Sequence, residues 1–235
     1  MSKVLCIPDL HNPWSRLGGR QFCEDLYVDW DCDKVVFIGD VVDEHFASFH
    51  TREPSAPGAM EEYERTKQAL ADWYKSFPNA VVTIGNHDRR AIRQAKTVNL
   101  PEIFLKPYAE IWGTPKWKWV ENVTIDDVYY YHGDGQGGEY PACNAVRKML
   151  MSVVMGHNHT ASGVKYYVNP TRRIFACDTG CLIDDKQIAF AYSDRNKRRS
   201  VLSAAVIVDG IPYVVPMACG KNERYHDSKF KRRTR

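Results

Sequence analysis

The order of elements in this sequence predicts an α/β fold: a two-sheet β-sandwich, the sheets packed face to face with helices outside. Two observations carry that expectation. The first half alternates short apolar runs with helical stripes, whereas the second half is mostly strand. In addition, five of the apolar runs end in a carboxylate, an amide or an imidazole, which is how a site is built along one edge of a sheet.

Residues 3–8 read as the first strand. Residues 16–30 suit a helix, with Phe22, Leu26 and Trp30 on one stripe. Residues 34–38 form the next strand, and 44–58 are a loop containing Pro54, Ser55, Pro57 and Gly58. A helix over 59–77 stops before Pro78, a strand follows at 80–84, and a short helix starts near Asp88. Beyond Pro101 the periodicity blurs around Trp112, Trp117 and Trp119, which suit packing better than base stacking. Residues 118–132 resemble a hairpin turning at Asp126-Asp127. A helix near 139–150 leads to a strand at 152–155. The remainder reads as strands at 164–168, 173–178, 187–192, 201–208 and 212–217, with a turn at Asp209-Gly210.

The 235 residues suffice for one large domain or two small ones. A chain of this length buries roughly 70% of its unfolded surface without needing disulfides. No apolar run approaches the ~18 residues that span a bilayer, so no membrane is expected as partner. The N-terminus enters a strand with no signal-peptide pattern, and the seven cysteines are scattered. They read as reduced thiols, which fits a cytoplasmic location. Net charge is +3, but residues 221–235 alone carry seven basic and two acidic side chains. The basicity therefore belongs to the tail, which could contact nucleic acid. Arg172-Arg173 and residues 195–199 are further basic clusters, more simply read as solvated charge.

The run endings are Asp9-Leu10-His11, Asp40, Asn86, His132 and His157-Asn158-His159. Asp9 and His11 are two apart, so in extended chain they share a side, and His157 and His159 repeat that geometry. Gly39, Gly85 and Gly156 precede ligand candidates, where a glycine allows a sharp turn and a close approach to an ion. Oxygen and imidazole ligands together point to a pair of Mn, Fe, Zn, Co or Ni ions. A carboxylate such as Asp40 suits the bridge of a two-metal hydrolytic centre. His87 is a candidate general acid, and Asp88 could orient it or cap the following helix. Asp43 is expected to orient a neighbour rather than bind metal itself.

Taken together DLH, GDVVD, GNHD, the lone His132 and GHNH resemble the calcineurin-like metallophosphoesterase superfamily, over residues 9–159 and on to Leu182. The segment Asp178-Thr179-Gly180-Cys181-Leu182 resembles one that follows the last motif in its protein-phosphatase and dinucleoside-polyphosphatase branches. The resemblance implies a metallophosphoesterase domain over 1–220, followed by a basic tail at 221–235. It implies Asp9, His11, Asp40 and His159 around one divalent ion, most often Mn²⁺ or an iron-containing pair. Asp40, Asn86, His132 and His157 would hold the other. His87, supported by Asp88, would protonate the leaving group while a metal-bound hydroxide attacks phosphorus in line.

Protein phosphatases of that superfamily carry Arg-Gly after the second motif and end the third in Glu; here Glu44-His45 follows Asp43, and the third motif ends in Asp88. The expected substrates are therefore phosphodiesters, such as nucleotides or nucleic-acid ends. Serine/threonine protein phosphatase or small-molecule monoesterase activity is the alternative, and a scaffold that lost the chemistry a third. Arg89 and His45 are candidate substrate contacts.

Overall fold

The computed structural model describes residues 1–49, 56–184 and 200–218. Its strands are β1 (Lys3–Ile7), β2 (Lys34–Phe37), β3 (Val81–Thr83), β4 (Lys118–Val120), β5 (Asn122–Ile125), β6 (Val128–Tyr131), β7 (Ser152–Met155), β8 (Ser162–Val168), β9 (Arg173–Thr179), β10 (Ser203–Val208) and β11 (Ile211–Pro216). The helices are α1 (Gly19–Asp29), α2 (Ala59–Ser76), α3 (Arg90–Thr97), α4 (Tyr108–Ile111) and α5 (Pro141–Met149).

Two sheets form, one ordered β11-β10-β1-β2-β3-β4 and the other β5-β6-β7-β9-β8. Strand alternation decides what each face meets. Leu5, Ile7, Val35 and Phe37 point outward into a cluster with Phe22 and Leu26 of α1 and Leu70 and Trp73 of α2. Their neighbours Val4, Cys6, Val36 and Ile38 point inward and meet Val128, Tyr130, Val154, Phe175 and Cys177 of the second sheet. On that sheet's outer face α5 lays Ala142, Cys143, Ala145 and Val146 over Val153, Met155 and Ala176. Strands buried on both faces explain why the sequence shows continuous apolar runs rather than alternation.

The parallel order of β1, β2 and β3, and of β6 and β7, brings the C-terminal ends of all five to one side of the sandwich. These are the ends that carry the five motifs.

The hairpin expected over 118–132 is two elements. Residues 118–120 pair in parallel with β3 at the edge of the first sheet, and the chain then crosses to the second. Tryptophans force the division. Trp117 is buried against Phe37 at 4.6 Å between ring centroids and donates its Nε1–H to the Phe77 carbonyl at 2.7 Å. Trp119 stacks on Tyr108, so both rings hold β4 to the helix layer. The hairpin proper is β5–β6, and its turn residues Asp126 and Asp127 have φ of 49° and 63°, as a tight primed turn requires. The helix expected to begin at 16 begins at Gly19, after Gly18 turns with positive φ. The strand expected at 187–192 and the basic tail lie outside the described residues. Among the described residues no helix is long and apolar enough to cross a membrane, and the six described cysteines are free and buried.

Candidate metal centre

His11, Asp40 and His157 leave their strands with φ of 49°, 46° and 66°, a region that non-glycine residues seldom adopt. Strain of this kind is held only where the surroundings enforce it. Here it turns each side chain back over the strand ends.

The side chains gather around Asp40. Its Oδ2 lies 3.1 Å from His132 Nε2 and 3.6 Å from His11 Nε2, and its Oδ1 accepts the His87 N–H at 2.8 Å. His132 Nε2 also faces Asn86 Oδ1 at 3.0 Å and His157 Nδ1 at 3.2 Å. Asp9 Oδ2 lies 3.1 Å from His159 Nε2 and accepts the His157 N–H at 3.0 Å. His11 Nε2 and His159 Nε2 are 3.2 Å apart. Three groups therefore converge closely enough to hold a cation: Asp9, His11 and His159; His11, Asp40 and His87; and Asp40, His132 and His157.

The donor chemistry fits metal. With His132 Nδ1–H donating to the Ile38 carbonyl at 2.9 Å, the Nε2 lone pair points at Asn86 Oδ1, His157 and the Asp40 carboxylate. Acceptors crowded in this way need positive charge among them. With no metal, a proton fills the role: burial opposes a charged His132, but Asp40 outweighs it and pushes the ring up to about 10. His11 goes the other way. Burial, reinforced by His87, brings it down to about 4, so its Nε2 lone pair stays available. Asp9 and Asp40 are buried, yet the surrounding histidines hold both below the usual carboxylate range.

Two glycines have a different purpose from the sharp turn expected of them. A Cβ on Gly85 would lie 2.1 Å from Asp40 Oδ1, and one on Gly156 would lie 2.2 Å from Asp9 Oδ1. They leave room for the carboxylates.

His87 stands beside the cluster with its ring centroid 4.2 Å from that of His11. Its carboxylate partner is Asp43, not the Asp88 expected from sequence. Asp43 Oδ1 lies 2.8 Å from both His87 Nδ1 and His11 Nδ1, as expected of an orienting carboxylate. Burial would raise the Asp43 carboxyl, but the two imidazole contacts hold it far below the usual range. Asp88 turns inward, where its carboxylate accepts N–H groups from Val42 at 3.0 Å and Gly85 at 2.8 Å and ties the second motif to the third. Burial beside Asp40 pushes Asp88 up to about 6.

Arg89, an expected substrate contact, is committed to Glu121 and to Asp134 at 3.1 Å. The arginine at His87 is Arg90, which donates through Nη2 to His87 Nε2 at 3.0 Å and through Nη1 to the Asp43 carbonyl at 2.7 Å. Helical spacing from His87 was the signal for it: residues three apart on a turn share a face. His45 sits mostly buried, its Nδ1 3.7 Å from Asp43 Oδ2, so it backs Asp43 rather than facing solvent.

Glu44, standing where protein phosphatases place an arginine, is buried with φ 47° and accepts the Ala91 N–H at 2.7 Å, at the start of α3. Burial pushes its carboxyl up to about 8. The folded, metal-free protein thus holds a proton on Glu44 that the unfolded chain releases near pH 4.5. Stability falls as pH rises from there to about 8, and the loss is complete above it. Glu44→Gln is expected to remove this contribution, flattening the decline by roughly 2–4 kcal/mol. Denaturant unfolding at pH 5 and pH 8.5 in chelator measures it, and equal slopes in both proteins would disprove it.

The sequence profile described as calcineurin-like phosphoesterase matches residues 2–179. No curated protein sequence matches the chain. Among solved structures, the Escherichia coli phosphoesterase Yfce aligns over 91% of this chain and 92% of its own, at 12% identity and TM-score 0.44. Chaetomium thermophilum Vps29 aligns over 95% and 92%, at 13% identity and TM-score 0.47. The Pseudomonas putida nuclease MPE aligns over 90% and 87%, at 13% identity and TM-score 0.41.

Proposed function

Since the chain belongs to the calcineurin-like phosphoesterase family, we propose that it hydrolyses phosphodiesters, with nucleotides or nucleic-acid ends as substrates, using two divalent ions at the cluster around Asp40. The observation that carries the reading is the convergence of lone pairs from both sheets on Asp40, with His87 held at its edge. In this reading Asp9, His11, Asp40 and His159 hold one ion, and Asp40, Asn86, His132 and His157 hold the other. Mn²⁺ suits that mixed oxygen and nitrogen set, as do Fe, Co, Ni and Zn. Bound there, the ions supply positive charge for the phosphoryl oxygens and acidify a water.

His87 is proposed as the general acid. Its Nδ1 is fixed against Asp43, so Nε2 is the atom that presents a proton to the leaving group. Burial opposes a charged ring, but Asp40 and Asp43 outweigh it and hold His87 above its ordinary value. An Nε2 proton and the Arg90 contact exclude each other. Protonation therefore releases one Arg90 nitrogen, while the other stays on the Asp43 carbonyl and keeps the guanidinium at the site.

The charge balance favours a diester. Arg89 is neutralised by two acids, and Glu44 occupies the place where an arginine would grip a dianionic monoester. Hydrolysis of an aryl phosphodiester beside the matching monoester, with Mn²⁺ and with chelator, tests this. Diester turnover should dominate and vanish in chelator; a monoester preference would overturn the diester assignment. His87→Ala should lower turnover by ~10²–10⁴ and remove one limb of the pH profile. An unchanged profile would rule out the general-acid role.

A further inference from the structure

Beside the cluster lies a cavity of about 410 Å³ that the proposed metal ligands do not use. It opens between the start of α5, the start of β8 and the end of β9, and Thr160, the residue after His159, forms part of its wall. Asp178 lines it from within. This residue is only 9% exposed, and its Oδ1 accepts the Ala142 N–H at 3.2 Å; among the described residues nothing else donates to that carboxyl. Strand alternation places it there. Ile174 and Ala176 of β9 face α5, as Asp178 does, while Phe175 and Cys177 enter the sandwich.

An aliphatic side chain would suit packing under α5. A carboxyl costs free energy to bury unless donors meet it. Burial pushes Asp178 up to about 7, against the pull of the Ala142 N–H. The cavity thus contains an acceptor with capacity for a donor the protein does not supply. Tyr140 also lines it, with an exposed ring, and the Lys165 ammonium lies 5.8 Å from that ring's centroid. Acceptor, aromatic face and cation are the three groups that recognise, in order, a base amino group, a base plane and a phosphate.

We infer that this cavity binds an amino-bearing nucleobase, the part of the substrate beyond the scissile phosphate. The inference rests on the nucleotide-diester reading given above. The base amino group donates to Asp178 Oδ2, the ring stacks on Tyr140, and Lys165 meets the backbone. With Asp178 ionised, as it is well above pH 7, uracil, which offers a carbonyl where cytosine offers the amino group, is disfavoured because it sets oxygen against oxygen.

Free nucleosides test the cavity without the metal centre, since they carry no phosphate. Titration of adenosine, cytidine and uridine into metal-free protein at a pH well above 7, where Asp178 is ionised, followed by calorimetry or NMR, should show cytidine and adenosine binding at least about tenfold tighter than uridine. Asp178→Asn keeps the shape and an acceptor for Ala142 but presents an amide N–H to the cavity. It should reduce or invert the cytidine-to-uridine preference, and Tyr140→Ala should weaken all three nucleosides alike. Circular dichroism of each variant confirms folding, and the exposed Tyr140 provides a substitution that does not threaten the core. No binding by the wild type, or a base preference unchanged in Asp178→Asn, overturns the inference. Wild-type turnover of an aryl diester is read separately, so an inactive centre with intact nucleoside binding condemns the catalytic reading alone. Active hydrolysis without nucleoside binding condemns the cavity alone.

Discussion

Asp40→Ala is expected to lose both stoichiometric metal binding and turnover, the latter by more than about 10³-fold, because several kcal/mol of charge stabilisation pass through the ions this carboxylate would bridge. The size follows from its position. Asp40 lies within reach of His11, His87 and His132, and no other carboxylate belongs to two of the three convergent groups. The substitution also removes the acceptor of the buried His87 N–H, which costs about 1–3 kcal/mol of stability. Asp40→Asn separates the two effects. It keeps an oxygen for that N–H and loses the charge, so it should fold nearly as well as the wild type and still fail to retain a metal pair. Metal content after desalting, read with turnover, gives the answer. A folded Asp40→Ala protein that keeps two ions or normal turnover would remove Asp40 from the centre.

Gly85→Ala is expected to damage the centre almost as much without touching a ligand. The added methyl would fall 2.1 Å from Asp40 Oδ1 and 2.4 Å from the Asp40 backbone nitrogen. The second contact is main chain, so it cannot be relieved by a side-chain rotation. Asp40, already at φ 46°, must shift together with the turn that Asp88 ties down. The expected loss is ~10–100-fold in metal affinity, with about 1–3 kcal/mol of stability for the overpacking. Gly137→Ala is the control, because nothing lies within 4 Å of its added carbon. Comparable metal titrations for the two variants would show that the crowding at Asp40 has no consequence.

Much of this was legible in the sequence for a physical reason. A strand buried on both faces must be an apolar run, and a polar ligand can begin only where the run leaves the sheet, so Asp9, Asp40, Asn86, His132 and His157 stand out against their own strands. The partner of His87 did not stand out. Asp43 and Asp88 each close a motif, and Asp88 is the chain neighbour of His87; only the inward turn of residues 85–88 sends Asp88 to backbone N–H groups and leaves Asp43 for the two histidines. The choice between Arg89 and Arg90 depended on the same turn. The fate of Lys118–Val120 was equally hidden, because it pairs with β3, where Trp117 joins the core under the helices and Trp119 packs against it. Periodicity within a segment carries no record of which sheet receives it.

The proposed ligands are divided between the halves of the sandwich. Asp9, His11, Asp40 and Asn86 follow strands of the first sheet, while His132, His157 and His159 follow strands of the second. Neither half owns a full coordination set. The N-terminal strands alone offer mostly oxygen donors, with His11 the one proposed imidazole ligand, a poor trap for an imidazole-seeking ion. In the proposed reading the full donor set for two ions would exist only once the later strands have docked, which ties metal capture to completed folding.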